Sequence, residues 1–247
     1  MTYNIEGARC WPEVRRVIQA QDLDVICLQE VPAEQTSRIP KDLGLTHEFQ
    51  LLRVLHPRRL GNMTLARTQI KRGGILQTTL SRTYGFTSLV KVGPIALTVA
   101  NLHLSPLRGS PLWAFPLAEV LHLREVIDLT QRFRRHKGPA VAAGDFNTFW
   151  PAPACWFMGR FWQDSRQTVS GRHLGTRPTY GLPFVIDHVF VRGTVSPLDY
   201  EVLPGGGSDH RAVIVTLRIE ISGAIGLVSD PTERSDPTER SDSRPIL

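Results

Sequence analysis

A chain of 247 residues, 41% hydrophobic and 21% charged, is long enough to bury a sizeable core and carries no collagenous or low-complexity bias over most of its length. No apolar run approaches the roughly 18 residues that a spanning helix needs. No basic and then apolar stretch follows Met1, so no secretory signal is expected and a cytoplasmic location is. The formal charge of +6 rests on 25 arginines and four lysines against 23 acids. Guanidinium forks match phosphate geometry, which makes nucleic acid or another polyanion a compatible partner; genome composition alone produces the same arginine usage.

Cys10, Cys27 and Cys155 are odd in number, far apart and free of any C-x-x-C pair. They exclude a disulfide framework and a cysteine-based zinc site and point to a reducing compartment. Cys27 lies inside an apolar run and reads as a small core residue.

In chain order, Asn4 follows a very short first strand, whose start almost at Met1 leaves its sheet edge open to fraying. Pro12–Gln21 follows as a helix, with Val14, Val17 and Ile18 at helical spacing and Pro12 suited to a first turn. Asp24–Gln29 (DVICLQ), Ile95–Leu104 (IALTVANLHL), Pro139–Gly144 (PAVAAG), Val185–Val191 (VIDHVFV) and Ala212–Arg218 (AVIVTLR) read as strands, with Ile75–Leu80 and Thr87–Val92 as weaker ones. Phe115–Arg134 gives the longer helix, its apolar side formed by Leu117, Val120, Leu121, Ile127 and Phe133. No linker divides residues 1–220, so one α/β domain is expected there. Residues 221–247 hold a tandem SDPTER repeat and are expected to form a disordered tail. Its five acids against three arginines leave the rest of the chain near +8.

Polar residues collect where these strands end or begin. Glu30 follows DVICLQ, His103 lies near the end of the strand from Ile95, and Asp145 and Asn147 follow PAVAAG; Asp187 and His188 sit within VIDHVFV, and Asp209-His210 precede the last strand. If later strands run antiparallel to earlier ones, such ends and beginnings share one rim of a sheet. Hard oxygen ligands such as Glu30 and Asp209 suit magnesium or manganese, which neutralise charge developing on a phosphate. Asp145 with Asn147 is a natural pair to orient or deprotonate water, and His210 or His103 can offset charge or protonate a leaving oxygen. Taken singly, most have a plainer reading: His103 as a structural histidine, Asp145–Thr148 as a turn, Glu30 as a strand end in water. Asp187 resists that reading, because a carboxylate flanked by apolar residues is costly unless paired.

Taken together and in order, the segments TYNIEG at Thr2–Gly7, DVICLQEV at Asp24–Val31, NLHL at Asn101–Leu104, GDFN at Gly144–Asn147, IDHVFV at Ile186–Val191 and GSDHRAV at Gly207–Val213 resemble the endonuclease/exonuclease/phosphatase superfamily of deoxyribonuclease-I-like proteins. The resemblance spans residues 1–220 and implies a four-layer α/β sandwich, two mixed sheets packed face to face with helices outside. It implies Glu30 as principal ligand of Mg2+ or Mn2+, helped by Asn4 and Asp209. It implies Asp145 positioning or deprotonating the attacking water, Asn147 and His103 contacting the phosphate, and His210 acting on it with support from buried Asp187. His188 stays outside this set. The activity implied is metal-dependent hydrolysis of phosphate esters.

Nucleic acid is the expected substrate, with Arg53, Arg58, Arg59, Arg67, Arg72, Arg108 and Arg177 as candidate phosphate contacts; Arg177 is assigned to substrate binding. Trp150, Trp156, Phe157 and Trp162 either stack on bases or fill a core, the commoner fate of aromatics. The loop Ser105–Phe115, with Leu112-Trp113, lacks the basic amphipathic pattern of a lipid-binding segment. Lipid headgroups or small phosphate esters are the alternative substrates, and a catalytically inactive binding protein is the alternative class. A monomer is expected.

Overall fold

The computed structural model describes residues 1–52, 59–79, 83–106, 115–168, 174–179 and 182–220. The expected tail from residue 221 lies outside the described residues, as do Arg53, Arg58, Arg108, Leu112 and Trp113. In chain order the strands are β1 (Thr2–Asn4), β2 (Val25–Pro32), β3 (Thr46–Leu51), β4 (Leu60–Ala66), β5 (Ile70–Gln77), β6 (Thr83–Val92), β7 (Ile95–His103), β8 (Ala140–Asp145), β9 (Gln163–Asp164), β10 (Arg177–Thr179), β11 (Leu182–Phe184), β12 (Asp187–Arg192), β13 (Val195–Val202) and β14 (Val213–Ile219). The helices are α1 (Trp11–Gln19), α2 (Arg38–Leu43), α3 (Phe115–Phe133), α4 (Pro153–Gly159) and α5 (Ser165–Thr168).

One sheet has the strand order β13-β14-β1-β2-β4-β3 and the other β5-β6-β7-β8-β12-β9. Both are mixed: β1 runs parallel to β2 and β7 parallel to β8, while their other neighbours are antiparallel. β10 and β11 pair separately as a short hairpin. β1 lies inside its sheet, between β14 and β2. It is short enough that β14 pairs with it only at Val213. Beyond that pair the sheets leave a cavity of about 270 Å³ lined in part by Met1, Val25, Val99, Val215 and Leu217.

Alternation along the strands decides the layers. Cys27 and Val213 of the first sheet meet Val99, Val141, Val189 and Val191 of the second in a buried cluster between them. Their neighbours one residue along point outward. Tyr3 and Leu28 pack with Val14 and Ile18 of α1 and Ile39 of α2. On the other side Ala100, Leu102, Ala142 and Phe190 pack with Val126, Leu129 and Phe133 of α3 and Met158 of α4. Helix, sheet, sheet, helix is the expected four-layer sandwich.

Helix α3 buries a different face from the one its leucines suggest. Leu117 and Val120 are 64% and 54% exposed, whereas Glu119, His122 and Glu125 are buried with Val126 and Leu129. The polar trio is accepted inside because it hydrogen-bonds the loops that follow β7 and β8, which removes the penalty of unpaired burial.

Followed toward one rim, the seam between the sheets changes from aliphatic to amide. Gln29 Nε2 donates to Asn101 Oδ1 at 2.9 Å and to Thr2 Oγ1 at 3.1 Å. Asn101 Nδ2 in turn reaches the Met63 carbonyl at 2.9 Å and the Leu28 carbonyl at 3.3 Å. These bonds lock the sheets together directly behind the strand ends. Asn101→Ala is expected to lower unfolding free energy by about 2–3 kcal/mol, since it removes one acceptor of the buried Gln29 amide and the amide donor of the Met63 and Leu28 carbonyls. Urea titration checks this through a lower midpoint at unchanged slope. Gly144 serves the same rim: a Cβ there would lie 1.9 Å from the Leu102 carbonyl oxygen, so only glycine lets β8 run close enough to β7 to set Asp145 beside His103.

Candidate active site

The strand pairings bring the polar ends together. Parallel β1 and β2 finish at the rim, as do parallel β7 and β8, and antiparallel β12 and β14 begin there. In register, Asp145 faces His103 on one side and Asp187 on the other. The site continues the inward alternation of the seam: Val141, Ala143, Asp145 on β8, and Val99, Asn101, His103 on β7. The same two-residue period that fills the core therefore delivers the acids and imidazoles to its mouth.

Glu30 and Asn147 occupy the left-handed backbone region, at φ 55° and φ 50°. For asparagine this is a tolerated conformation; for glutamate it costs on the order of 1 kcal/mol. At Glu30 the distortion falls where the register of β2 against β4 shifts, between Leu28 and Val31, and it turns the carboxylate into the site. Asn4 Nδ2 bridges the two sheets there, 3.0 Å from Asp145 Oδ2 and 3.4 Å from Glu30 Oε1. Its Oδ1 accepts the Glu6 N–H at 3.1 Å.

Asp145 is buried and central. Its Oδ1 accepts the Asn147 N–H at 2.9 Å, while Oδ2 lies 3.7 Å from Nε2 of both His103 and His210. Burial alone would raise this carboxyl, but His210, His103 and the Asn4 hydrogen bond outweigh it and hold it below the usual range. His103 Nε2 is also 4.0 Å from Glu30 Oε1. The Asn147 side chain donates to the Leu104 carbonyl at 3.0 Å, fastening the loop after β8 to the end of β7.

Asp187, fully buried, meets His210 Nδ1 through Oδ2 at 2.9 Å. Both nitrogens of His210 face carboxylates, with Asp187 at Nδ1 and Asp145 and Asp209 at Nε2. Burial pulls the imidazole down, yet Asp187 and Asp145 prevail and push it up to about 9. Burial also raises Asp187, against the pull of His210. The pair thus holds a proton at neutral pH, placed by this geometry on the imidazole. Asp145, Asp187 and His210 each bring one ligand-type atom within 4.8 Å of the others. The Nδ1 hydrogen bond makes this a proton-linked pair beside a carboxylate rather than an evident ion cage.

Asp209 is the most open of the acids, its side chain 35% exposed, and it pairs with Arg177 at 3.2 Å. The residues assigned from sequence to catalysis and metal, with Arg177, thus fall in one cluster of contacts, whereas of the other candidate phosphate contacts Arg67 pairs with Asp22 and Arg72 with Gln50. His188 points the other way, into the outer core against Phe146 and the Thr148 carbonyl. Two supporting residues were not singled out in the sequence, although Ser208 lies within GSDHRAV. Thr176 Oγ1 accepts the N–H groups of Ile186 and Asp187 at 3.0 and 3.1 Å. Ser208 Oγ donates to the Asn4 carbonyl at 2.6 Å and accepts the His210 N–H at 3.2 Å. Of the aromatics after GDFN, Trp162 is buried and Phe157 packs on the core, while Trp156 is exposed.

Known proteins resemble this chain in sequence or in fold. A UPF0294 protein of Klebsiella pneumoniae (strain 342) is 30% identical over 134 residues, which make up 52% of this chain and 46% of that protein, so the match spans about half of that relative's length. The solved endonuclease/exonuclease/phosphatase of Bacteroides vulgatus has a TM-score of 0.70 at 16% identity, covering 89% of this chain and 97% of that one. The mannosyl-6-phosphatase of Bacteroides thetaiotaomicron VPI-5482 has a TM-score of 0.68 at 18% identity, covering 88% and 98%. Such identities speak to fold alone; the sequence itself matches the Endonuclease/Exonuclease/phosphatase family over residues 1–210, from β1 through His210, and by that match the chain belongs to this family.

Proposed function

We propose that residues 1–220 form a magnesium- or manganese-dependent phosphodiesterase domain acting on nucleic acid. The observation that carries this reading is the meeting of Asn4, Glu30, His103, Asp145, Asp187, Asp209 and His210, drawn from both sheets, in contacts of 4.0 Å or less. The donor set fits a hard cation, since Glu30, Asp145 and Asp209 offer carboxylate oxygens and no thiolate joins them. Glu30, with Asn4 and Asp209, would hold the ion, which when bound neutralises charge on the non-bridging phosphate oxygens.

The chain's own groups do the rest. Asp145, kept ionised by its neighbours, orients an attacking water in line with the leaving oxygen and accepts its proton. The Asn147 amide and His103 contact the phosphate. His210, held by Asp187 through Nδ1, presents an Nε2 proton to the charge that develops at phosphorus. Arg177, paired with Asp209, lines the approach, and Arg9, 58% exposed, pairs with Glu6, the residue whose N–H is accepted by Asn4 Oδ1. The overall positive charge favours a polyanion. The chain is taken as a monomer acting in the cytoplasm; no helix among the described residues is long and apolar enough to cross a membrane.

Hydrolysis of bis(p-nitrophenyl) phosphate and plasmid DNA, side by side, tests the reading. Both activities are expected to vanish with chelator, return with magnesium or manganese, and be absent from Asp145→Ala. Turnover of the small diester alone would remove nucleic acid and direct the search to lipid headgroups and small phosphate esters. No turnover of any phosphate ester, with wild type and Asp145→Ala alike, would leave a binding protein.

A further inference from the structure

The loop that follows His103 and the loop that carries Asn147 are fastened to one side of α3 by groups the hydrolytic mechanism does not use. Glu119, His122 and Glu125 recur every three residues and are buried to 6%, 0% and 0% exposure, while Leu117 and Val120 of the same helix face solvent. A helix that exposes Leu117 and Val120 while it buries two acids and an imidazole departs from the ordinary sorting of residues. Buried charges of this kind are often no more stabilising than aliphatic side chains, so stability alone does not account for them.

Their contacts do. The Glu125 oxygens accept Ser105 N–H at 3.1 Å and Ser105 Oγ–H at 2.7 Å. His122 Nε2 donates to the Ser105 carbonyl at 2.7 Å, and its Nδ1 is 3.1 Å from Glu119 Oε1. Both ring partners are acceptors, so the ring carries two protons. Burial opposes that charge, but Glu119 and the Ser105 carbonyl prevail and raise the imidazole. Glu119 Oε1 also accepts the Thr148 hydroxyl at 2.5 Å. Ser105 lies two residues after His103, and Thr148 directly follows Asn147. The Leu104 N–H bond to the Asp145 carbonyl at 2.9 Å and the Asn147 bond to the Leu104 carbonyl complete a closed ring of contacts.

We propose that Glu119, His122 and Glu125 are positioning residues that hold the His103 and Asn147 loops at the separation one phosphate requires. The proposal rests on the hydrolase reading above for its kinetic consequence, though not for its structural one. Each acid grips a different loop, and His122 ties the two grips together. A shift of either loop by about 1 Å is enough to cost a hundredfold in rate.

Glu125→Ala, Glu125→Gln and Ser105→Ala would be compared with wild type on bis(p-nitrophenyl) phosphate, well below each protein's Tm, alongside amide hydrogen exchange of segments 103–106 and 146–149. Glu125→Ala is expected to lower kcat about 10- to 100-fold with KM and the metal activation midpoint little changed, and to speed exchange in both segments. Glu125→Gln can still accept the Ser105 N–H and donate to its hydroxyl, so it should recover most of the rate. If Glu125→Ala fails to fold, Ser105→Ala removes one of the same bonds and is expected to show the same pattern, several-fold in kcat. A loss that merely follows the folded fraction, glutamine no better than alanine, or unchanged exchange in both segments would overturn the proposal. The exchange arm decides it even if the wild type turns over no phosphate ester, a result that would count against the hydrolase reading alone.

Discussion

His210→Ala is expected to lower kcat on a small phosphodiester by about a thousandfold or more while KM stays within a few-fold. Nδ1 is engaged with Asp187 and Nε2 is aimed between Asp145 and Asp209, so the ring can act only through Nε2. A group that meets charge appearing at phosphorus contributes in the transition state far more than in the bound substrate. The variant should also lose stability, because it leaves Asp187 fully buried without its imidazole, a loss on the order of 3–5 kcal/mol if the carboxylate stays ionised. Kinetics are therefore read at low temperature with the folded fraction checked by circular dichroism. Asp187→Asn should lose rate through the same imidazole, and the double variant should be little worse than His210→Ala alone. A change in KM with kcat preserved would make His210 a binding residue instead.

The strands that build the site were the most legible part of the sequence. β2, β7, β8 and β12 are buried on both faces, between a sheet and a helix layer, and so read as apolar runs. Others were opaque for identifiable reasons. β3, with its THEFQL sequence, has no buried residue, and β13 contains Pro197, where its pairing with β14 bulges. Rim residues could be named because metal and phosphate chemistry demands particular side chains at strand ends, and Asp187 because its apolar flanks made an unpaired carboxylate untenable. Thr176 and Ser208 act through ordinary hydroxyl bonds to backbone, a role that residue type and spacing do not reveal. Helix α3 misled in an instructive way. Its leucines invited an apolar face, but the bonds available to Glu119, His122 and Glu125 outweighed the burial of Leu117 and Val120. A periodicity argument weighs side chains one at a time and has no access to the loops waiting for them.

Asp145→Asn is expected to be more damaging still, reducing kcat by about 10⁴-fold or to background, and it is the more diagnostic change because it preserves shape. The asparagine oxygen can still accept the Asn147 N–H that Asp145 Oδ1 receives at 2.9 Å, so the loop after β8 keeps its turn. What is lost is the charge at Oδ2, to which Asn4 donates at 3.0 Å and toward which Nε2 of both histidines points at 3.7 Å. An amide there can neither accept the water's proton nor balance His210. Magnesium or manganese binding, followed calorimetrically, should weaken much less than it does in Glu30→Gln, because Glu30 rather than Asp145 is assigned as principal ligand. Retained metal affinity with abolished turnover would place Asp145 on the attacking water. Equal loss of metal binding in both variants would instead make Asp145 a ligand, and the proton acceptor would then have to be sought in His103, whose Nε2 lies within 4.0 Å of both carboxylates.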